Sequence, residues 1–121
     1  MRRLLVVDDS ALIRAVARAS LEGAGFETIV AESGAEGLEL AASDAPDAIL
    51  LDVVMPELDG PAVLAALRES PATAQIPVIL VTGSEHERSE FESLGAAGAI
   101  AKPFQADELP DAVRATLGWP A

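Results

Sequence analysis

The sequence predicts an α/β fold, a doubly wound five-stranded parallel sheet with five helices on both faces. Three observations carry this. Short apolar runs recur at residues 4–7, 28–31, 48–51, 78–81 and 99–101. Helical periodicities fill the intervals, so strand and helix alternate along the whole chain, the pattern of βαβ units with right-handed crossovers. Several runs are continuous rather than alternating, as strands covered on both faces should be. With 121 residues, 50% of them hydrophobic, the chain has material for one core, and residues 1–121 read as a single domain.

The elements follow in order. After the first run, Ile13, Val16, Ala17 and Leu21 make one face of a helix that Gly23 and Gly25 end. Ser33 and Glu36 form a capping box opening the second helix, with Leu38 and Ala42 on its core side. Pro61 suits the first turn of the third, which buries Val63, Leu64 and Leu67. Ser84 and Glu87 form another capping box, and Phe91 and Leu94 give the fourth helix its apolar side. Leu109, Val113 and Leu117 mark the fifth, with Pro110 disturbing its first turn. Phe26, Phe91 and Phe104 are expected in the core. Trp119 reads as a tail residue, packed on the last helix or exposed, and His86 as a solvated helix position.

Composition excludes several functions. The 20 acidic residues outnumber 8 basic ones, and a formal charge of −12 repels nucleic-acid backbones. No apolar stretch reaches the roughly 18–20 residues of a membrane span. The opening MRRLLVVDDS has too short an apolar stretch for a signal peptide, which points to a first strand and a cytoplasmic protein. The absence of cysteine rules out disulfides and thiolate metal sites.

In a parallel sheet all strands end on one edge, where ligands bind. The residues that follow the apolar runs are therefore informative. Asp8 and Asp9 follow the first, Asp52 the third, Thr82 the fourth and Lys102 the fifth. Asp52 lies within ILLDVVMPELDG, an aspartate with apolar neighbours on both sides. Each residue also has a simpler reading. Asp9 or Ser10 fits a helix cap, Thr82 a strand-end threonine, Lys102 a solvated side chain, and Asp59 before Gly60 a turn. Capping alone does not readily collect all of them on one edge. Three carboxylates so close repel one another unless a cation intervenes, and oxygen donors suit a hard divalent ion such as Mg²⁺. Lys102 supplies a point charge for a phosphate oxygen and Thr82 a hydroxyl donor. The set suits phosphoryl transfer with Asp52 as covalent acceptor.

LLVVDDS, LLDVVMPELDG, ILVTG and IAKPF together resemble the receiver domains of two-component response regulators, in the expected order and over essentially the whole chain. The resemblance implies a flavodoxin-like sheet of order 2-1-3-4-5. It also implies that Asp52 accepts a phosphoryl group from a phosphohistidine on a sensor histidine kinase or histidine phosphotransfer protein. Mg²⁺ would be held by Asp9 directly, by Asp8 mainly through water, by Asp52, and by the backbone carbonyl of Val54. Thr82 would bond the phosphoryl group, and Lys102 would pair with Asp52 and then with the phosphoryl oxygens. The Lys102–Pro103 bond would be cis. Met55 and Pro56 would shape the loop beside the acceptor, and Gly60 the turn after it. Such a domain is a signalling switch rather than an enzyme; it docks an unidentified downstream protein and allows a phosphorylation-dependent dimer.

Three departures stand out. Ala99 occupies the position, three before the lysine, where the family usually has an aromatic side chain. Residues 83–98 form a slightly shorter segment than the family expects. The sequence also leaves no room for an output module, so the expected output is a docking surface. The residues also allow two rival readings. One is a receiver-like interaction module that is not phosphorylated. The other is an aspartyl-phosphate phosphatase, against which stands Val54, where those enzymes carry a second aspartate.

Overall fold

The computed structural model describes residues 2–83 and 95–120. Strands β1 (Arg3–Val7), β2 (Glu27–Ala31), β3 (Ala48–Asp52), β4 (Val78–Thr82) and β5 (Gly98–Ala101) form one sheet in the order β2-β1-β3-β4-β5, and every pairing is parallel. Four helices lie among the described residues: α1 (Ala11–Gly23), α2 (Gly34–Asp44), α3 (Gly60–Glu69) and α4 (Leu109–Leu117). The expected helix containing Ser84, His86, Glu87, Phe91 and Leu94 lies outside the described residues. Among those described, no helix is long and apolar enough to cross a membrane.

Strand residues alternate between two cores, as the period-2 geometry of a strand requires. Leu5, Val7, Ile49, Leu51, Val78 and Leu80 pack with Ala41 of α2 and with Val63, Leu64 and Leu67 of α3. Leu4, Val6, Leu50, Ile79, Val81 and Ile100 pack on the other face with Ala17 and Leu21 of α1 and with Leu109 and Val113 of α4. The two apolar layers explain why the central runs lack alternation: both faces of β3 and β4 are buried along their full length. The chain reverses its direction of travel across the sheet between β1 and β3. That reversal opens the crevice in which this class of sheet binds ligands.

Local chemistry sets the helix starts. Ser10 Oγ accepts from the Ile13 amide at 3.3 Å, Ser33 Oγ from Glu36 at 3.1 Å, and Asp59 Oδ1 from Ala62 at 3.1 Å. The return bond of the expected capping box is displaced by one residue, since Glu36 Oε1 accepts from the Glu32 amide rather than from Ser33. Beyond the end of α1, Gly25 takes a left-handed φ of 97°, open to glycine without strain. Pro110 lies in the first turn of α4, which has no side-chain cap. Phe26 is buried and Phe104 half-buried, both against the α1–α4 core. Trp119 lies 6.1 Å from the Phe26 ring and beneath the Arg2 guanidinium, at 4.1 Å. Phe91 lies outside the described residues.

One core assignment needs correction. Ala42 is exposed, and α2 buries Gly34, Gly37 and Ala41 instead, with Leu38 partly buried. The helix lies so close to its neighbours that its contact face is mainly glycine. A methyl group on Gly37 would fall 2.8 Å from Val7 Cγ2. On Gly34 it would fall 2.7 Å from Val63 Cγ2 and 2.8 Å from the Leu58 carbonyl oxygen. Glycine adds nothing to an apolar periodicity, so the pattern of larger residues is out of phase with the real contact face.

This packing predicts opposite outcomes for two similar substitutions. Gly34→Ala should lower stability by about 1–3 kcal/mol through overpacking against a backbone carbonyl that cannot rotate away. Gly23→Ala places its methyl in open space inside a helix. It should be neutral or stabilising by up to about 1 kcal/mol, the difference in helix propensity. Urea unfolding of both variants measures the contrast.

Candidate functional site

The sheet brings the sequence-selected residues to one edge. Asp8 follows β1 directly, its amide continuing the ladder by donating to the Ala31 carbonyl at 3.1 Å. Asp52 is the last residue of β3 and Thr82 the last of β4. The register pairs Asp52 with Val81, so Thr82 stands one residue further along the neighbouring strand. Lys102 follows β5, and its amide donates to the Thr82 carbonyl at 2.8 Å. Asp8, Asp52 and Thr82 are buried, at 3%, 5% and 5% exposure, whereas Asp9 is open to solvent. The Lys102–Pro103 peptide is cis.

Lys102 organises the cleft. Its Nζ donates to Asp52 Oδ1 and to Asp8 Oδ2, each at 3.1 Å, so one ammonium bridges carboxylates from two strands. The other oxygen of Asp8 accepts from the Ser10 amide at 2.9 Å. Asp8, Asp9 and Asp52 each offer a carboxylate oxygen within 4.8 Å of the others. Three carboxylates against one ammonium leave the cluster two negative charges in excess. All-oxygen donors with that charge, one of them at the solvent boundary, could hold a hard divalent cation.

The surroundings perturb both partners of the central ion pair. Burial raises the Asp52 carboxyl above the ordinary carboxylate value, and the Asp8 charge adds to this. The hydrogen bond and charge of Lys102, together with the Val54 amide, oppose the shift without cancelling it. Burial alone would lower the Lys102 ammonium, but its hydrogen bonds to Asp52 and Asp8, and their charges, raise it overall.

The loop after Asp52 is shaped by close backbone contact. Gly60 donates its amide to the Val53 carbonyl at 2.9 Å, and a methyl group there would lie 2.8 Å from both the Asp52 carbonyl oxygen and Val53 Cα. Within this loop Val54 turns its side chain outward, 76% exposed. Two features escape sequence reading. Lys102 binds Asp8 as well as Asp52, and Arg14 of α1 reaches back to donate Nη1–H to the Asp8 carbonyl at 2.8 Å. The signal for Arg14 was a charged residue beside the apolar positions Ile13 and Ala17, on a helix side that turns toward the strand end.

A family model for the response regulator receiver domain matches residues 4–114. The chain belongs to that family. Similar curated proteins include the response regulator MprA of Mycolicibacterium vanbaalenii, 42% identical over 115 residues, or 95% of this chain and 50% of that protein. MprA of Mycobacterium tuberculosis strain H37Ra is 41% identical with the same coverage. This receiver thus spans about half the length of the curated relatives it matches. Among solved structures, Vibrio cholerae chemotaxis protein CheY4 superposes with a TM-score of 0.89 at 31% identity, over 96% of this chain and 98% of that one. The Francisella response regulator 1452 receiver domain gives 0.87 at 32% identity, over 98% of both chains. Receivers are signalling domains of two-component systems, and the acidic cleft fits that role.

The raised Asp52 carboxyl sets a pH-dependent expectation. A carboxyl raised on folding favours the folded state when protonated, and that contribution is lost as pH rises from the unfolded value through the folded one. Asp52→Asn should therefore raise the melting temperature of the metal-free receiver at neutral pH by on the order of a few degrees. The advantage should shrink on acidification and disappear below the ordinary carboxylate range, where wild-type Asp52 is protonated in both states. Paired thermal melts from pH 7 downward give the comparison.

Proposed function

We propose that this receiver takes a phosphoryl group from a phosphohistidine on a sensor histidine kinase or phosphotransfer protein, with Asp52 as acceptor and Mg²⁺ as cofactor. The observation that carries the reading is the Lys102 ammonium held 3.1 Å from both Asp52 and Asp8, with Asp9 completing the acidic cluster. Asp8, Asp9, Asp52 and the Val54 carbonyl would hold the ion. When bound, Mg²⁺ supplies positive charge that offsets the carboxylates and stabilises charge on the phosphoryl oxygens.

The chain's own residues then act in turn. Lys102 fixes one oxygen of Asp52 and keeps the carboxylate oriented on the floor of the cleft. A carboxylate oxygen of Asp52 attacks phosphorus in line; the phosphorus–nitrogen bond breaks, and the electron pair and a proton go to the departing imidazole. Burial of Asp52 limits its solvation and so maintains its reactivity. The Lys102 ammonium and the Thr82 hydroxyl donate to the new phosphoryl oxygens. An apolar groove of about 420 Å³, lined by Leu12, Ile13, Val16, Pro103 and Phe104, opens beside Lys102, and the donor protein would approach the cleft there.

Phosphorylation would shift an existing equilibrium at a docking surface of the receiver. With Ala99 at the usual aromatic position, the usual coupling from Thr82 to an inward-rotating aromatic ring has no ring to act on. A turnover phosphatase has no comparable support, since the Val54 side chain cannot transfer protons.

Incubation with Mg²⁺ and acetyl phosphate should add one phosphoryl group, seen by intact-mass spectrometry. Asp52→Asn should abolish the addition, and chelation of Mg²⁺ should reduce it by at least about tenfold, since a clamp on a transferring phosphoryl group is worth several kcal/mol. Undiminished labelling of the asparagine variant would refute Asp52 as acceptor. No labelling of the wild type by acetyl phosphate or by a phosphorylated kinase would favour an unphosphorylated interaction module.

A further inference from the structure

Every polar atom of Asp8 has a partner. Its amide donates to the Ala31 carbonyl, Oδ1 accepts from the Ser10 amide, and Oδ2 accepts from Lys102. Its carbonyl, beyond the last paired residue of β1, accepts from Arg14 Nη1 at 2.8 Å. The Arg14 side chain is only 18% exposed, and its Nη2 lies 3.9 Å from Glu32 Oε2, just past the end of β2. One guanidinium therefore spans from α1 to the ends of the two adjacent strands.

This contact has an electrostatic oddity. A cation beside Asp8 repels a divalent ion, so on charge alone Arg14 weakens metal binding. Its hydrogen bond works the other way. It fixes the backbone of the Asp8–Ser10 turn, from which the Asp8 and Asp9 side chains project. Groups that orient a metal's ligands contribute strongly to affinity even without touching the ion.

We propose that Arg14 is a positioning residue for the divalent cation, holding the Asp8 carbonyl so that the Asp8 and Asp9 carboxylates are kept in register with Asp52. The proposal rests on the reading of these three carboxylates as the Mg²⁺ site. The two roles of Arg14 carry opposite signs, and that makes them separable. Loss of a charge alone tightens Mg²⁺ binding; loss of placement weakens it.

The test is isothermal titration calorimetry with Mg²⁺ on the wild type and on Arg14→Gln, Arg14→Lys and Arg18→Gln, each checked for folding by its thermal transition. Arg18 lies one turn further along α1, is exposed, and pairs with Glu22 at 3.2 Å, so its replacement removes the same charge without touching Asp8. Arg14→Gln should bind Mg²⁺ about tenfold more weakly, the low end of the loss expected when a supporting contact is removed. Arg14→Lys keeps the charge but lacks the planar fork, and its affinity should fall between those of the wild type and the glutamine variant. Arg18→Gln should bind Mg²⁺ as tightly as the wild type or slightly more tightly. Affinity in Arg14→Gln equal to or tighter than wild type overturns the proposal. If that variant does not fold, Arg14→Lys decides: weaker binding supports the proposal and unchanged binding overturns it. A wild type that takes up no Mg²⁺ overturns the underlying metal-site reading, and the proposal with it, and is recognised by failure of all four proteins.

Discussion

Like-charge repulsion at the crevice between β1 and β3 is the constraint around which the site is arranged. Asp8, Asp9 and Asp52 each offer a carboxylate oxygen within 4.8 Å of the others, and two unit charges about 5 Å apart at an effective dielectric of about 20 repel by roughly 3 kcal/mol. Water would relieve the repulsion, but Asp8 and Asp52 are buried. Lys102 answers part of it by bridging the two buried groups. Among the described residues no cation pairs with Asp9. The fold therefore retains an excess of negative charge at the position where sheet topology directs ligands. A cluster with that charge could hold a cation.

That arrangement depends on backbone contacts as much as on side chains. The ends of β1, β3, β4 and β5 must be held in fixed register, each within a residue of its neighbour. Each is tied to a neighbour: Asp8 to Ala31, Val53 to Val81, and Lys102 to Thr82. The loop after Asp52 folds back until Gly60 touches the backbone of Asp52 and Val53, at a distance that excludes any side chain. α2 approaches the sheet and α3 through glycine in the same manner. Close approach at these points sets the geometry of the crevice and leaves little freedom in how the carboxylates are presented.

Much of this was readable in the sequence because the signals were redundant. Strand positions follow from continuous apolar runs. The edge residues follow from asking what comes next after each run, and Asp8, Asp9, Asp52, Thr82 and Lys102 all lie where that rule puts them. What the sequence concealed was contact made by groups with no periodic signature. Ala42 looked like core because it is apolar, while the true face of α2 is carried by Gly34 and Gly37. Arg14 looked like a helix-surface charge, because nothing in one dimension shows a carbonyl beyond a strand end. The second carboxylate of Lys102 was hidden for a related reason, since Asp8 and Lys102 are 94 residues apart.

The stack of Arg2, Trp119 and Phe26 has a practical corollary. Arg2 and Phe26 directly precede β1 and β2, so the stack sits at the pole where the strands begin, opposite the acidic cleft. The chain has a single tryptophan. Its native emission therefore reports on the packing of Arg2 and of the segment after α4 against the core, at the pole away from Asp52. A probe of the signalling end has to be introduced there deliberately.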